Sequence, residues 1–205
     1  MKIAVIGATG RTGRQLVRKL EADGHRVRAL VRRPTANLGN AEQVAGNALS
    51  EHDVRRAISG CDAVISTIGP RRDSPPDFML QVANNLIPPL EAGGPSRLLF
   101  LIGAGVGDPA DQPGMVEHMI YVVMRLVFRK SYRHTISAAQ AIRASSLDWT
   151  LVRAPRITEK SESSYAFGML GTAGHNVTTR ALAAYLADEV VGGKHLKQAP
   201  VIYTP

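Results

Sequence analysis

Three glycines at a spacing of three lie in the run Gly7-Ala8-Thr9-Gly10-Arg11-Thr12-Gly13, close to the first residue of the chain. Without a Cβ, the backbone N–H groups of such a turn can approach a phosphate closely and adopt φ values that other residues avoid. The spacing is GxxGxxG rather than the GxGxxG usually quoted for dinucleotide turns. Its context gives it force. Ile3, Val5 and Ile6 precede it as a short strand buried on both faces, and Leu16, Val17 and Leu20 follow on one face of a helix. Thr9, Arg11 and Thr12 fall within the turn and join Gly7, Gly10 and Gly13 as phosphate-binding candidates.

A second position selects the nucleotide. Turns that prefer NAD are followed, about 20 residues on, by an Asp or Glu that accepts from the ribose hydroxyls. Here that place holds Arg32 and Arg33, and no acid lies between Gly24 and Asn40. A guanidinium pairs with a 2′-phosphate through two parallel hydrogen bonds. With Arg11 in the turn, these residues predict NADP(H).

Further candidates follow from position at strand ends. Asn47 and Ala48 come after the third predicted strand, and Thr67, Ile68 and Gly69 after the fourth. Gly103 follows the fifth, near the nicotinamide side, and Pro155 and Arg156 follow the sixth, where they would close the nicotinamide pocket. Four residues after Tyr121, Tyr132, Tyr165 and Tyr185 stand Arg125, Ile136, Met169 and Glu189, so no Tyr-xxx-Lys pair exists. A tyrosine without such a lysine is a poor acid–base group near neutrality, which argues against ordinary alcohol–ketone chemistry. Glu117, Tyr121, Arg125 and Arg129 recur every fourth residue on one helical stripe. Arg156, Tyr121 and Arg125 are therefore the substrate-side candidates, and the catalytic group itself is open. His118 and His134 lack partners at ligand spacing, so no metal is predicted.

The elements that must position these residues alternate. Predicted strands cover Arg26–Val31, Gln43–Gly46, Asp62–Ser66, Arg97–Ile102 and Asp148–Arg153 after the first, with Val201–Tyr203 at the end. Between them the pattern predicts helices: one capped by Ser50 and running to about Ile58, one over Asp77–Glu91 that must bend or stop at Pro88, a long one over Met115–Ala144, and one over Arg180–Val190. A pair of short strands is expected near Tyr165–Phe167 and Asn176–Thr178, and Trp149 belongs to the core. Alternation of this kind predicts an α/β fold, a Rossmann-like doubly wound parallel sheet whose ligand lies at the carboxyl ends of the strands. We expect one domain over residues 1–205, with about 154–205 forming a small substrate-side cap.

Composition narrows the function classes. The chain has 205 residues, 44% hydrophobic and 20% charged, with one cysteine, so an internal disulfide is excluded. Of the net charge of +8, +6 lies between Arg11 and Arg33 and +4 between Arg125 and Arg133, leaving −2 for the remainder. Positive charge gathered around the glycine turn suits an anionic small molecule better than a nucleic-acid stripe, and aromatics are only 5% of the chain. No leader or bilayer-length apolar run is evident, which predicts a cytoplasmic protein with no membrane partner and a monomer or weak homo-oligomer.

Gly-Ala-Thr-Gly-Arg-Thr-Gly, Leu-Val-Arg-Arg, Asp-Ala-Val-Ile-Ser-Thr-Ile-Gly and Ser-Leu-Asp-Trp-Thr-Leu-Val-Arg-Ala-Pro recur in order along nearly the whole chain. In them the sequence resembles the NAD(P)H-binding atypical short-chain dehydrogenase/reductases, close to biliverdin IXβ reductase/flavin reductase and NmrA-like proteins. The resemblance implies hydride transfer from NADPH to a planar conjugated acceptor, a flavin, quinone or linear tetrapyrrole, held by stacking and positioning. The flavin-reductase branch commonly has a serine where this chain has Gly103. The NmrA-like branch implies the alternative of a non-catalytic, nucleotide-sensing regulatory protein.

Overall fold

The computed structural model describes every residue except 72, 116–118 and 120–128, and for 129–131 only the backbone. Ten strands are described: β1 (Lys2–Ile6), β2 (Arg26–Val31), β3 (Glu42–Ala45), β4 (Ala63–Ser66), β5 (Arg97–Gly103), β6 (Asp148–Ala154), β7 (Arg156–Thr158), β8 (Ala166–Gly168), β9 (Asn176–Thr178) and β10 (Val201–Tyr203). Eight of them form one sheet in the order β3-β2-β1-β4-β5-β6-β10-β8, parallel except where β8 runs antiparallel to β10. The chain reverses its winding between β1 and β4, so the carboxyl ends of these two strands flank a crevice. This is the predicted doubly wound α/β fold.

Alternation along β1 shows why both faces are covered. Ile3 and Val5 point into one core with Leu16, Val17 and Leu20 of α1 (Arg11–Ala22) and Leu182, Leu186 and Val190 of the last helix. Ala4 and Ile6 point into the other, with Val54 and Ile58 of α2 (Glu51–Ile58), Val82 and Leu86 of α3 (Phe78–Glu91), and Ala138 and Ile142 of α4 (Arg129–Ala144). The period of two in the strand thus feeds two helical layers. The last helix, α5 (Thr179–Gly192), is pinned to the sheet by a buried ion pair, Arg97 to Glu189 at 2.8 Å. Among the described residues no helix is long and apolar enough to cross a membrane.

Several boundaries differ from the sequence expectation. α3 does not stop at Pro88 but carries Pro88 and Pro89 in its final turn. The helix bonds lost there are offset by packing, because Leu86, Pro89 and Leu90 are all buried. The short strands β8 and β9 do not pair with each other: β8 joins β10, and β9 pairs in parallel with β7, a strand the sequence reading missed. Three-residue strands have too little pattern to declare partners. Trp149 is buried at 7% exposure, as expected.

Ser50 caps α2 as predicted, its hydroxyl accepting the Asp53 N–H at 3.3 Å. Ser50→Ala is expected to cost about 1 kcal/mol, lowering Tm by roughly 2–4 °C for a chain of this size. Thermal denaturation followed by circular dichroism measures it.

Candidate functional site

β1 ends at Ile6 and the chain turns at Gly7, whose φ of +91° is a left-handed value that a side chain would strain. Gly10 N–H closes the turn on Gly7 O at 3.0 Å, and Gly10 O accepts the Arg14 N–H at 3.0 Å as α1 begins. The glycines do different work. A Cβ on Gly13 would lie 2.2 Å from Gly7 O and 2.8 Å from Ala8 Cα, so Gly13 lets α1 pack onto the turn from within. A Cβ on Gly10 would meet only Gly7 O, at 3.2 Å, and otherwise enter open space. The turn is therefore open at Gly10, while Gly13 packs inward and Thr12 is buried.

α1 begins with no capping side chain and no acid in its first turn, whereas α2 is capped by Ser50 and α5 by Thr178. Its leading N–H groups have no partner along the helix and carry the positive end of the dipole. A helix start of this kind suits an anion.

A cleft of about 340 Å³ lies against this turn. Gly7, Thr9, Gly10, Arg32, Asn47, Ala48, Thr67, Ile68 and Gly69 all line it, so these nine predicted residues from four strand ends are brought together. Arg32 and Arg33 are both exposed, but only Arg32 faces the cleft, and neither has an ion-pair partner among the described residues. Thr67 is a brace: its hydroxyl sits 3.3 Å from both Ile6 O and Gly7 O and holds β4 to the turn. Asn47 is held by its own loop, Oδ1 accepting the Leu49 N–H at 3.1 Å and its N–H reaching Asp53 Oδ2 at 3.0 Å. That bond from Asn47, the largest influence on Asp53, holds its carboxyl below the usual carboxylate range. Asn85 of α3 donates to Ala48 O at 3.2 Å and supports the same loop.

One wall was not anticipated. Arg71, Asp73, Ser74 and Pro75, from the stretch between β4 and α3, and Phe78, the first residue of α3, also line the cleft. Nothing local in the sequence of this loop says that it lines the cleft.

Those of the other predicted residues that are described do not line this cleft. Arg11 is exposed and pairs with Glu159, just beyond β7, at 3.2 Å. Gly103, at the end of β5, is exposed, and a Cβ there would meet nothing within 4 Å. Pro155 links β6 to β7, and Arg156 is exposed at the start of β7, its N–H bonded to His175 O at 3.3 Å. Tyr121 and Arg125, with Glu117 and His118, lie outside the described residues, as does the Arg129 side chain. Burial and its bond to Asp188 push Tyr165 up to about 12, and burial pushes Tyr185 higher still, so neither is suited to proton transfer near neutrality. Among the described residues no group of three or more His, Cys, Asp or Glu is assembled to hold a metal ion.

Residues 7–191 match a family model described as NAD(P)H-binding. The oxidoreductase ylbE of Lactococcus lactis is 18% identical, with a TM-score of 0.82 over 100% of this chain and 91% of its own. A protein of Streptococcus pneumoniae TIGR4, provisionally named an NADH-flavin reductase, is 21% identical, with a TM-score of 0.80 over the whole of both chains. ChuY of Escherichia coli O157:H7, named an anaerobillin reductase, is 17% identical, with a TM-score of 0.79 over 100% of this chain and 98% of its own. At these identities the likeness is one of fold.

Proposed function

The chain belongs to the NAD(P)H-binding family, and from that premise we propose that it is an NADPH-dependent reductase acting on a planar conjugated acceptor such as a flavin, quinone or linear tetrapyrrole. The observation that carries the nucleotide choice is Arg32, a cation without an ion-pair partner among the described residues, on the wall of the cleft where an acid would select NAD. Gly10 and the uncapped start of α1 receive the pyrophosphate, Asn47 and Ala48 border the adenine, and Thr67, Ile68 and Gly69 border the ribose. Gly103 and Pro155, at the ends of β5 and β6, border the nicotinamide.

The chemistry supplied by the bound nicotinamide is hydride transfer, and a conjugated ring accepts hydride without the proton donor that a ketone requires. The residues of this chain then need only bind, orient and exclude water. That demand fits a sequence with no Tyr-xxx-Lys pair. Two structural relatives, named as an NADH-flavin reductase and an anaerobillin reductase, support this acceptor class.

The test is NADPH oxidation by the purified chain, followed in absorbance with FMN, menadione or biliverdin added. Acceptor-dependent oxidation that is much slower with NADH supports the reading, and no oxidation with any of the three ends it. Gly103, which offers no hydroxyl beside the nicotinamide, favours a second reading in that event: an NADP(H)-binding sensor that signals through a partner.

Arg156 carries a separate expectation. Its exposed guanidinium at the mouth of the acceptor side can stabilise charge developing on an anionic acceptor. Arg156→Ala is expected to lower kcat/KM with such an acceptor by about fivefold, the value of one ordinary hydrogen bond of about 1 kcal/mol, since the exposed guanidinium is screened by water. NADPH affinity should not move. Full activity on every acceptor would remove Arg156 from the substrate residues.

A further inference from the structure

The loop that leaves β5 is gripped at three consecutive carbonyls. Gly105 O accepts from the Tyr132 hydroxyl at 2.7 Å, Val106 O from Arg153 Nη1 at 3.0 Å, and Gly107 O from Arg143 Nη2 at 3.1 Å. Two carboxylates of the same loop answer the arginines. Asp108 meets Arg143 at 2.9 Å, and Asp111 takes both Nη atoms of Arg153, at 2.7 and 2.8 Å. Connecting loops ordinarily run free over the surface. This one is fastened to α4 and β6.

Arg153 is the centre of the arrangement. It is fully buried, and each of its five N–H donors has an acceptor. Besides Val106 and Asp111, Nε donates to Ala199 O at 2.6 Å and Nη2 reaches Met169 Sδ at 3.8 Å. Asp111 Oδ1 also accepts the Leu170 N–H at 3.1 Å, and Gln112 N–H bonds to Leu170 O at 2.9 Å. At Gly171 a Cβ would lie 1.8 Å from Gln112 O, so the two backbones are in direct contact. One ion pair thus joins the β5 exit loop, the turn after β8 and the approach to β10. A buried ion pair is poor evidence of stability, because an apolar pair of similar volume often does as well. What a planar fork against a carboxylate secures is one orientation.

That orientation is set beside the proposed site. Gly103 pairs in register with Ala154, and Ala104 N–H bonds to Ala154 O at 2.8 Å, one residue beyond Arg153 and one before Pro155. Resting on the reductase reading, we propose that Arg153 is a positioning residue: with Asp111 it fixes the 104–112 loop as a rigid wall at the carboxyl ends of β5 and β6, and so sets where the nicotinamide and its acceptor meet. Buried as it is, Arg153 acts through the loop and not by contact.

The test replaces the pair as a unit, Arg153→Met with Asp111→Leu, which leaves no lone buried charge. The double variant is expected to bind NADPH within about twofold of wild type. Its kcat/KM for the acceptor should fall about 10- to 100-fold, since a misplacement of ~1 Å can cost 10²-fold, and KM and kcat should both change. The fluorescence lifetime of bound NADPH, which reports the nicotinamide's surroundings without any acceptor, should shift. A folded double variant with wild-type kcat/KM and lifetime overturns the proposal. If the double variant does not fold, Tyr132→Phe withdraws the hydroxyl that holds Gly105 O. A threefold or larger fall in kcat/KM then supports the proposal, and wild-type values overturn it. A wild-type protein that binds NADPH and reduces nothing counts against the reductase reading alone, and the lifetime then decides the role of Arg153.

Discussion

Gly13→Ala is expected to melt far below wild type and to lose NADPH with its fold, while Gly10→Ala keeps the fold and loses only the nucleotide. The two glycines are three residues apart in one turn, and their missing Cβ atoms point to different places. At Gly13 the added carbon would sit 2.2 Å from Gly7 O and under 3 Å from Ala8 backbone atoms, which cannot yield without opening the turn. Overpacking against side chains typically costs about 1–3 kcal/mol, and backbone offers less room to relax. A fall in Tm of roughly 6 °C or more follows for a chain of this length. At Gly10 the carbon meets only Gly7 O at 3.2 Å, an approach that a shift of a few tenths of an ångström relieves. It would project into the cradle and hold a phosphate away from the helix N–H groups. We expect a Tm close to that of wild type and a Kd for NADPH raised at least about tenfold, since one lost hydrogen bond to a charged group is worth roughly 1.5–3 kcal/mol. Calorimetric melting and nucleotide titration of both variants test this. Wild-type melting of Gly13→Ala would mean that the turn is not locked from within, and wild-type binding by Gly10→Ala would place the phosphates elsewhere.

Arg32→Ala should weaken NADPH by about 10- to 150-fold, the value of one strong charge-assisted contact, and leave NADH almost unchanged. Arg32 lines the cleft and has no carboxylate partner among the described residues, so its charge is available to a ligand. Arg33, next in sequence and equally exposed, lies off the cleft wall, and Arg33→Ala should have a much smaller effect. Because Arg32 is exposed, raising the salt concentration should narrow the difference between the two nucleotides. Titrations of wild type and both variants with NADPH and NADH at two ionic strengths decide the matter. Equal affinity of wild type for the two nucleotides removes the basis for NADP(H).

Local pattern determined much of this protein. The β-branched run Ile3–Ile6, the 3.6-residue period of Leu16, Val17 and Leu20, and Ser50 before Asp53 each declare an element through interactions within a few residues, and these elements stand where they were predicted. Alternation of strands and helices then leaves few topologies open, and a doubly wound sheet places Gly10, Arg32, Asn47 and Thr67 at one edge, because ligand-facing loops follow the carboxyl ends of parallel strands. Only the tertiary structure decided the rest. Whether Arg32 or Arg33 faces the cleft depends on how β2 ends against its neighbours. The inward role of Gly13 depends on how α1 seats on the turn. The Arg71–Phe78 wall, the β7–β9 pair and the Arg153–Asp111 clamp join residues with no periodicity between them, the last across 42 positions. Such contacts are settled by packing and by the need to satisfy buried charge, which no local pattern encodes.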